Sequence, residues 1–267
     1  MKQQEVEQLL STSLQAAEFP VHIAHPNKVR NFARTKGKLA KTDRIDAKIM
    51  SEFGKVFKPN PKVNHLTPQL KVLHILFIRR QQLLDEKIRE NNRLDKNLLE
   101  ILQKSIKIHI HWFESELEAT EHLIVEHIKS YDNIKKSVEL LKSIPGIGIL
   151  TAICLLIELP ELGKIEDKKL ASLVGVAPLN RGSGKMIEKR YIKGGRSSVR
   201  KNLYMTAVVS VRFNPDMKIF YQHLQAKRKI AKVALTAVIR KLLILLNSIA
   251  RRRTPWKNKT EILIASR

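Results

Sequence analysis

The feature that most constrains the fold is a long stretch, Leu66 to Lys142, which contains no glycine and no proline after Pro68. Within it, apolar side chains recur every three or four residues, the spacing that places them on one face of a helix. Charged residues lie between the apolar ones. The stretch therefore predicts two long helices with a coiled-coil seam, joined near His109–Ser115.

The apolar seam of these helices has two possible partners. A long exposed seam usually packs against another helix, which favours a homo-oligomer formed through the coiled coil. In the alternative, the two helices form a hairpin within one chain and cover each other's seams. The sequence pattern is compatible with both arrangements.

The regions on either side of the coiled coil differ in character. Residues 1–58 combine a predicted helix over Glu5–Ala17, a short strand over Phe19–Ala24 and a helix over Lys28–Thr35, an order that is α/β in character. Residues 59–142 contain a proline-rich linker and the coiled-coil helices. Residues 143–253 predict a helical C-terminal domain, and 254–267 form a basic tail. The expected fold is mainly α.

The charge balance indicates a polyanionic partner. Fifty Lys and Arg residues face twenty-five Asp and Glu, for a net charge of +25. Such a chain repels itself unless a polyanion neutralises it, and DNA or RNA does so with release of counterions. A merely solubilising surface is the alternative, but solubility needs much less charge.

The apolar segments and the cysteine content bear on location. The apolar run 149–159 is too short to cross a bilayer, and the run 233–250 is interrupted by Arg240 and Lys241, so no membrane span is predicted. Cys154 is the only cysteine. No disulfide can form within the chain, which fits a reducing cytoplasm. Cys154 itself lies in an apolar run, which favours a core role over a nucleophilic one.

A glycine-containing turn after the coiled coil could contact phosphate. Ile144–Ala152 places Gly146 and Gly148 between two predicted helices, a pattern typical of a helix-hairpin-helix. The backbone N–H groups at the start of the second helix can bind a phosphate without reading base sequence. A plain helix–helix turn with a capping glycine is the alternative.

A basic loop over 177–198 holds a serine between two glycines, Ser183. An unhindered hydroxyl among cations could attack a phosphodiester, because cations stabilise the charge on the phosphoryl oxygens. The alternative is a flexible turn that only grips phosphate. The surrounding cations that we expect to contact nucleic acid are Arg181, Lys185, Arg190, Lys193, Arg196 and Arg200.

Two acids near the N-terminus could contribute to a metal site. Asp43 and Asp46 are three residues apart, which places them on one face of a helix that Thr42 caps. Two such carboxylates can contribute oxygen ligands to Mg²⁺, although a two-metal centre needs more of them. Solvated acids in a capped first turn are the alternative.

Two groups of motifs, one N-terminal and one C-terminal, resemble the DEDD-type insertion-sequence transposases in both their residues and their order. The N-terminal group covers 21–33 and 37–47. The C-terminal group is made of Pro145–Gly148, Gly175–Pro178, Ser183-Gly184 and Gly194–Arg200. The resemblance covers nearly the whole chain.

The resemblance implies a fold, a chemistry and partners. The family has a RuvC-like, RNase H-like N-terminal domain, a coiled coil, and a C-terminal domain with a nucleophilic serine. Its members recombine DNA under the guidance of a structured RNA from the element, in the bacterial cytoplasm or nucleoid. By resemblance, Ser183 matches the nucleophile. Asp43 and Asp46 match the last two acids of a tetrad that holds Mg²⁺.

One departure from the family concerns the first two acids of that tetrad. The opening strand with its Asp, and a Glu that precedes Thr-Gly, find no counterpart in this sequence. We therefore expect an N-terminally truncated transposase, from a decayed copy or a misassigned start codon, whose metal site is incomplete. The alternatives are a non-catalytic remnant that binds DNA or RNA, and a coiled-coil assembly protein with incidental charge.

Overall fold

The structure, a computed structural model, is mainly helical, as the sequence predicts. It describes residues 10, 11, 13, 14, 17–24, 26–40, 42–58, 66–95, 99–179, 182, 183, 186, 187 and 191–257. The chain divides into two compact units, Met1–His65 and Leu66–Arg267. Each unit is described separately below.

The first unit is built on two helices, α1 (Pro26–Thr35) and α2 (Asp43–Phe57). Phe32 of α1 meets the rings of Phe53 and Phe57 edge-on, each at a centroid distance of 5.7 Å. Such edge-to-face pairs add to the stabilisation that comes from burying the rings. The predicted cap of α2 is confirmed, because the Thr42 side chain accepts a hydrogen bond from the backbone N–H of Ile45.

The predicted strand over Phe19–Ala24 is wrong. The structure gives these six residues no strand, and no neighbouring strand lies beside them among the described residues. A single extended segment has no ladder hydrogen bonds, so proline and β-branched residues alone do not make a strand. Of the predicted helix Glu5–Ala17, residues 10, 11, 13 and 14 are helical, and most of the rest lies outside the described residues.

The second unit begins with an antiparallel helical hairpin, α3 (Pro68–Arg93) and α4 (Glu100–Lys129). Ion pairs cross from one helix to the other: Arg80 to Glu121 at 2.6 Å and Lys87 to Glu114 at 2.8 Å. Leu73 and Phe77 of α3 pack against Ile124 and Ile128 of α4 in the core. Within one chain, the two predicted helices therefore cover each other, as in the hairpin alternative.

The junction between the long helices differs from the prediction. Residues 94, 95 and 99 are not helical, whereas α4 runs without a break through His109–Ser115. Asn91 and Asn92 precede the break. Their short polar side chains compete for backbone hydrogen bonds and weaken a helix, and the Asn91 amide donates to the Lys87 carbonyl at 3.1 Å. Because the leucines around this break keep helical spacing, the sequence pattern did not reveal that the helix ends after the two asparagines.

The C-terminal part consists of shorter helices around one core. They are α5 (Asp132–Lys142), α6 (Ile149–Glu158), α7 (Asp167–Val174), α8 (Ser197–Phe213), α9 (Pro215–Ala226) and α10 (Ala231–Arg252). A two-stranded β-hairpin, β1 (Gly182–Ser183) with β2 (Met186–Ile187), lies between α7 and α8. Residues 227–230 separate α9 from α10.

Helix α10 is the central helix of this core. By length and composition alone it could cross a membrane, the one such helix among the described residues. Its buried residues, however, pack against the other helices of the unit, Val238, Leu242 and Leu246 among them. The fully buried Asn247 on the same helix accepts from the Gly163 N–H at 2.7 Å and donates to the Ile165 carbonyl at 2.9 Å.

Replacing Asn247 with alanine is expected to lower the free energy of unfolding by about 2 kcal/mol, because it leaves buried backbone groups without partners. The Asn247 amide also donates to Asp167 at 2.6 Å, so the connection from α6 to α7 loosens as well. Thr236→Ala is the matched control, since its hydroxyl bonds only to the Lys232 carbonyl of its own helix. Urea denaturation followed by circular dichroism measures both; equal midpoints would contradict the expectation.

Candidate nucleic-acid interface

Asp43 and Asp46 stand in the first turn of α2, where they suit the positive end of the helix dipole. Asp43 is exposed and Asp46 half-buried. Within the described ranges, no group of three or more Asp, Glu, His or Cys residues could hold a metal ion. The two carboxylates therefore do not make a Mg²⁺ site with the described residues alone.

The predicted glycine turn joins α5 to α6, and its two glycines have different surroundings. Gly146 has a φ of +97°, and a side chain there would stand 2.8 Å from the Ser210 Cα of α8. Gly146 thus allows a close approach of two backbone segments. Gly148 is exposed, has open space around its Cα, and begins α6 without a side-chain cap. Of the two glycines, Gly148 is therefore the one whose surroundings leave room for a ligand.

Ser183 is the last residue of β1 in the β-hairpin. Backbone pairing sets Gly182 opposite Ile187 and Ser183 opposite Met186. An isolated bridge joins Leu179 to Tyr191 further down. The sequence predicted a loop here and missed the hairpin. Arg181, Lys185 and Arg190 lie outside the described residues.

Two of the predicted phosphate contacts, Arg196 and Arg200, donate hydrogen bonds to groups of the protein. The Arg196 guanidinium makes a two-pronged ion pair with Glu161 at 2.5 Å and 2.7 Å, and donates to the Glu158 carbonyl at 2.8 Å. Arg200 donates to the carbonyls of Val174 at 3.1 Å and Gly194 at 2.6 Å.

Other cations of the second unit remain available on its surface. Lys193, which the sequence predicted as a contact, is exposed. Eight exposed Lys and Arg side chains lie along and beside α8, α9 and α10, and among the residues that the structure describes none of the eight forms an ion pair. They are Lys193, Lys201, Arg212, Lys218, Lys227, Arg228, Lys229 and Lys232. Unpaired surface cations of this density favour an extended polyanion.

An open cavity of about 650 Å³ lies among these cations. Helices α3, α8 and α10 form its walls, with Gln82, Tyr204 and Thr236 contributing polar groups. Lys201 and Lys232 line it as exposed cations. The carboxylates of Asp85 and Glu158 also line it, so the cavity combines an apolar floor with polar side chains and groups of both charges.

Cys154 is not part of this surface. It is fully buried in α6, and burial, reinforced by the nearby Glu158 carboxylate, raises the pKa of its thiol to about 12. Because the thiolate is the reactive form, we expect the native protein at pH 8 to resist a thiol reagent such as dithionitrobenzoate. The same protein in guanidinium should release one equivalent of colour. Rapid reaction of the native protein would contradict this expectation.

Comparison with known proteins identifies the class. Residues 138–222 match the family model described as "Transposase IS116/IS110/IS902 family". Residues 1–103 match a second model, described as "Transposase", for the DEDD enzymes of IS110 type. The order of the two matches is the order of the motif groups in the sequence.

Curated relatives agree with these matches. The chain is 28% identical over 249 residues to pilin gene-inverting proteins of Moraxella bovis and Moraxella lacunata, which covers 90% of this chain and 75% of each relative. It is also 26% identical over 121 residues to an uncharacterized 43.6 kDa protein of insertion element IS110 from Streptomyces coelicolor, or 45% of this chain and 30% of that protein. These similarities define the class as insertion-sequence transposases. Within that class, the segments 1–103 and 138–222 are similar to the two domains of IS110/IS116-type transposases.

Proposed function

We propose that this protein recombines DNA at the ends of an insertion element, with Ser183 as the nucleophile. The observation that carries the proposal is the position of Ser183 at the end of a hairpin strand, within the segment that matches the transposase family. The pilin gene-inverting relatives, whose name describes a DNA rearrangement, support the same reaction class.

The proposed step is a transesterification at a phosphodiester. The Ser183 hydroxyl oxygen attacks phosphorus and loses its proton to solvent, and a phosphoserine ester forms. The bond from phosphorus to one bridging oxygen of the DNA breaks, and that oxygen takes up a proton as the new strand end. Attack by another strand end on the phosphoserine reverses the step and regenerates the hydroxyl, so no external energy source is needed.

The exposed cations described above would hold the DNA. Lys201, Lys232 and Lys227–Lys229 would neutralise backbone phosphates, and the uncapped start of α6 at Gly148 would add N–H donors. Arg181, Lys185 and Arg190 surround Ser183 in the sequence and would stabilise charge on the phosphoryl oxygens. Each neutralised phosphate makes binding weaker at higher salt.

Two further partners belong to the proposal. The family resemblance implies a structured RNA from the element, for which a chain with a charge of +25 has ample cations. A second copy of the chain would cover the part of α4 that α3 leaves open, where Ile101, Ile108 and Trp112 are exposed. By the family resemblance, Asp43 and Asp46 would contribute oxygen ligands to a Mg²⁺ ion, which would stabilise charge at the phosphodiester.

A covalent-capture assay tests this function. The full chain is mixed with a fluorescent duplex that spans the junction of the element with its flanking DNA, together with a transcript of the element's non-coding end. Denaturing electrophoresis then reveals protein-linked DNA. Adduct formation supports the nucleophile. Salt-sensitive binding without any adduct would instead favour the non-catalytic remnant.

A further inference from the structure

The base of the β-hairpin is held by a group of residues that we call the hairpin clamp: Val174, Gly175, Gly194, Gly195 and Arg200. We propose that Arg200 is a positioning residue, which through this clamp fixes the hairpin that carries Ser183. The proposal rests on the function proposed for Ser183. It replaces the expectation that Arg200 contacts phosphate.

The Arg200 side chain joins the two ends of the segment between α7 and α8. Its Nη1 atom donates to the Gly194 carbonyl at 2.6 Å and to the Val174 carbonyl at 3.1 Å, with the Gly175 carbonyl at 3.4 Å. Hydrogen bonds from a charged donor are stronger than neutral ones. One guanidinium thus ties the residues that enter the hairpin to the residues that leave it.

The glycines of the clamp allow the two backbone segments to touch. Gly175 and Gly195 have φ values of +77° and +71°. A side chain on Gly195 would stand 2.6 Å from the Gly175 Cα, and one on Gly175 would stand 2.9 Å from the Gly194 carbonyl carbon. A backbone N–H of Arg196 donates to the Leu173 carbonyl at 3.0 Å beside them. No residue with a Cβ fits this crossing without displacement.

The clamp is itself fastened to the core. The Arg196 guanidinium binds Glu161, and the Ser198 hydroxyl donates to the Glu158 carboxylate, both next to the end of α6. Val174 and Val199, on either side of the clamp, are fully buried. The base of the hairpin is therefore continuous with the packed core of the second unit.

The hairpin needs such support, because two strands alone are marginally stable in water. The described part of the hairpin has only the pairs of β1 with β2 and the bridge from Leu179 to Tyr191. The direction in which it presents Ser183 thus depends on its base. A displacement of about 1 Å at a reacting group can cost about 100-fold in rate.

The best-matched test and control variants are Gly195→Ala and Gly194→Ala. Both glycines have the same strained backbone, with φ values of +71° and +72°, but only a side chain on Gly195 meets neighbouring atoms. A difference in rate between the two variants therefore reports the contact between the backbone segments at Gly175 and Gly195, and not backbone strain. Arg200→Gln, with Arg79→Gln as a control at an exposed arginine of α3, tests the guanidinium.

Three quantities are measured on the full chain: the single-turnover rate of adduct formation at saturating junction duplex, the dissociation constant across a salt series, and backbone hydrogen exchange of residues 176–195. We expect Gly195→Ala and Arg200→Gln to slow adduct formation about 100-fold. Their exchange should accelerate, while the affinity and its salt dependence stay unchanged. Gly194→Ala and Arg79→Gln should retain the wild-type rate at saturation.

A phosphate contact predicts a different result for Arg200→Gln. Binding would weaken, the slope of affinity against salt would fall by about one, and hydrogen exchange of the hairpin would not change. That result would overturn the clamp. If the wild-type protein forms no adduct, the function proposed for Ser183 fails, and the exchange data alone then decide whether Arg200 holds the hairpin.

Discussion

Ser183→Ala is expected to reduce covalent protein–DNA adduct formation by at least about 1,000-fold, the scale on which removal of a nucleophile acts. The physical reason is that alanine has no oxygen to form the phosphoserine ester. Affinity for the junction duplex should be unchanged, because one neutral hydroxyl adds little to binding that rests on charge. The measurements are adduct yield against time and fluorescence anisotropy with the same duplex.

Ser197→Ala is the matched control for the nucleophile. Ser197 is exposed at the start of α8 and belongs to the same basic loop, 177–198, as Ser183. Its removal should leave adduct formation unchanged. Loss of adduct in both variants, or in neither, would contradict the role of Ser183. Persistent adduct in Ser183→Ala would direct the search to another nucleophile.

Gly146→Ala should lower the free energy of unfolding by about 3 kcal/mol, through backbone strain and overpacking together. Its φ of +97° is unfavourable for alanine, and the added methyl would stand 2.8 Å from the Ser210 Cα. Ser210 is fully buried and its hydroxyl donates to the Pro145 carbonyl at 3.3 Å, so α8 has no free space into which to withdraw. The melting temperature should fall by roughly 10 °C.

Gly148→Ala, in the same turn, tests DNA binding without disturbing the packing of α8. Gly148 has a negative φ of −87° and no atoms within 4 Å of an added methyl group. We expect a stability loss of less than about 1 kcal/mol, the cost of a poorer helix cap. Its affinity for DNA should fall, because the methyl group obstructs the approach of a phosphate to the start of α6. Equal melting temperatures for the two alanine variants would contradict the packing role of Gly146.

Local rules in the sequence determined most of the helices. Periodic apolar residues identified the two long helices, and Thr42 identified the start of α2 because N-capping is a contact between neighbours in the chain. The charge balance indicated a nucleic-acid partner independently of the fold, because net charge is a property of composition alone.

Local rules failed where the outcome depended on distant residues. The segment Phe19–Ala24 has the composition of a strand but no neighbouring strand among the described residues. The basic loop forms a hairpin because segments on either side of it meet at Gly175 and Gly195, a contact that spacing along the chain does not reveal. Both failures have the same cause, since β structure is stabilised by partners and not by propensity alone.

The roles of individual residues were likewise determined partly by the sequence and partly by the tertiary structure. The sequence by itself determined the family, the basic character and the choice of Ser183 as candidate nucleophile. Only the tertiary structure decided that Gly146 serves packing while Gly148 faces outward, and that Arg196 and Arg200 bind protein groups. A guanidinium carries the same donors toward a phosphate or a carbonyl. Which of the two it meets depends on what folding places beside it.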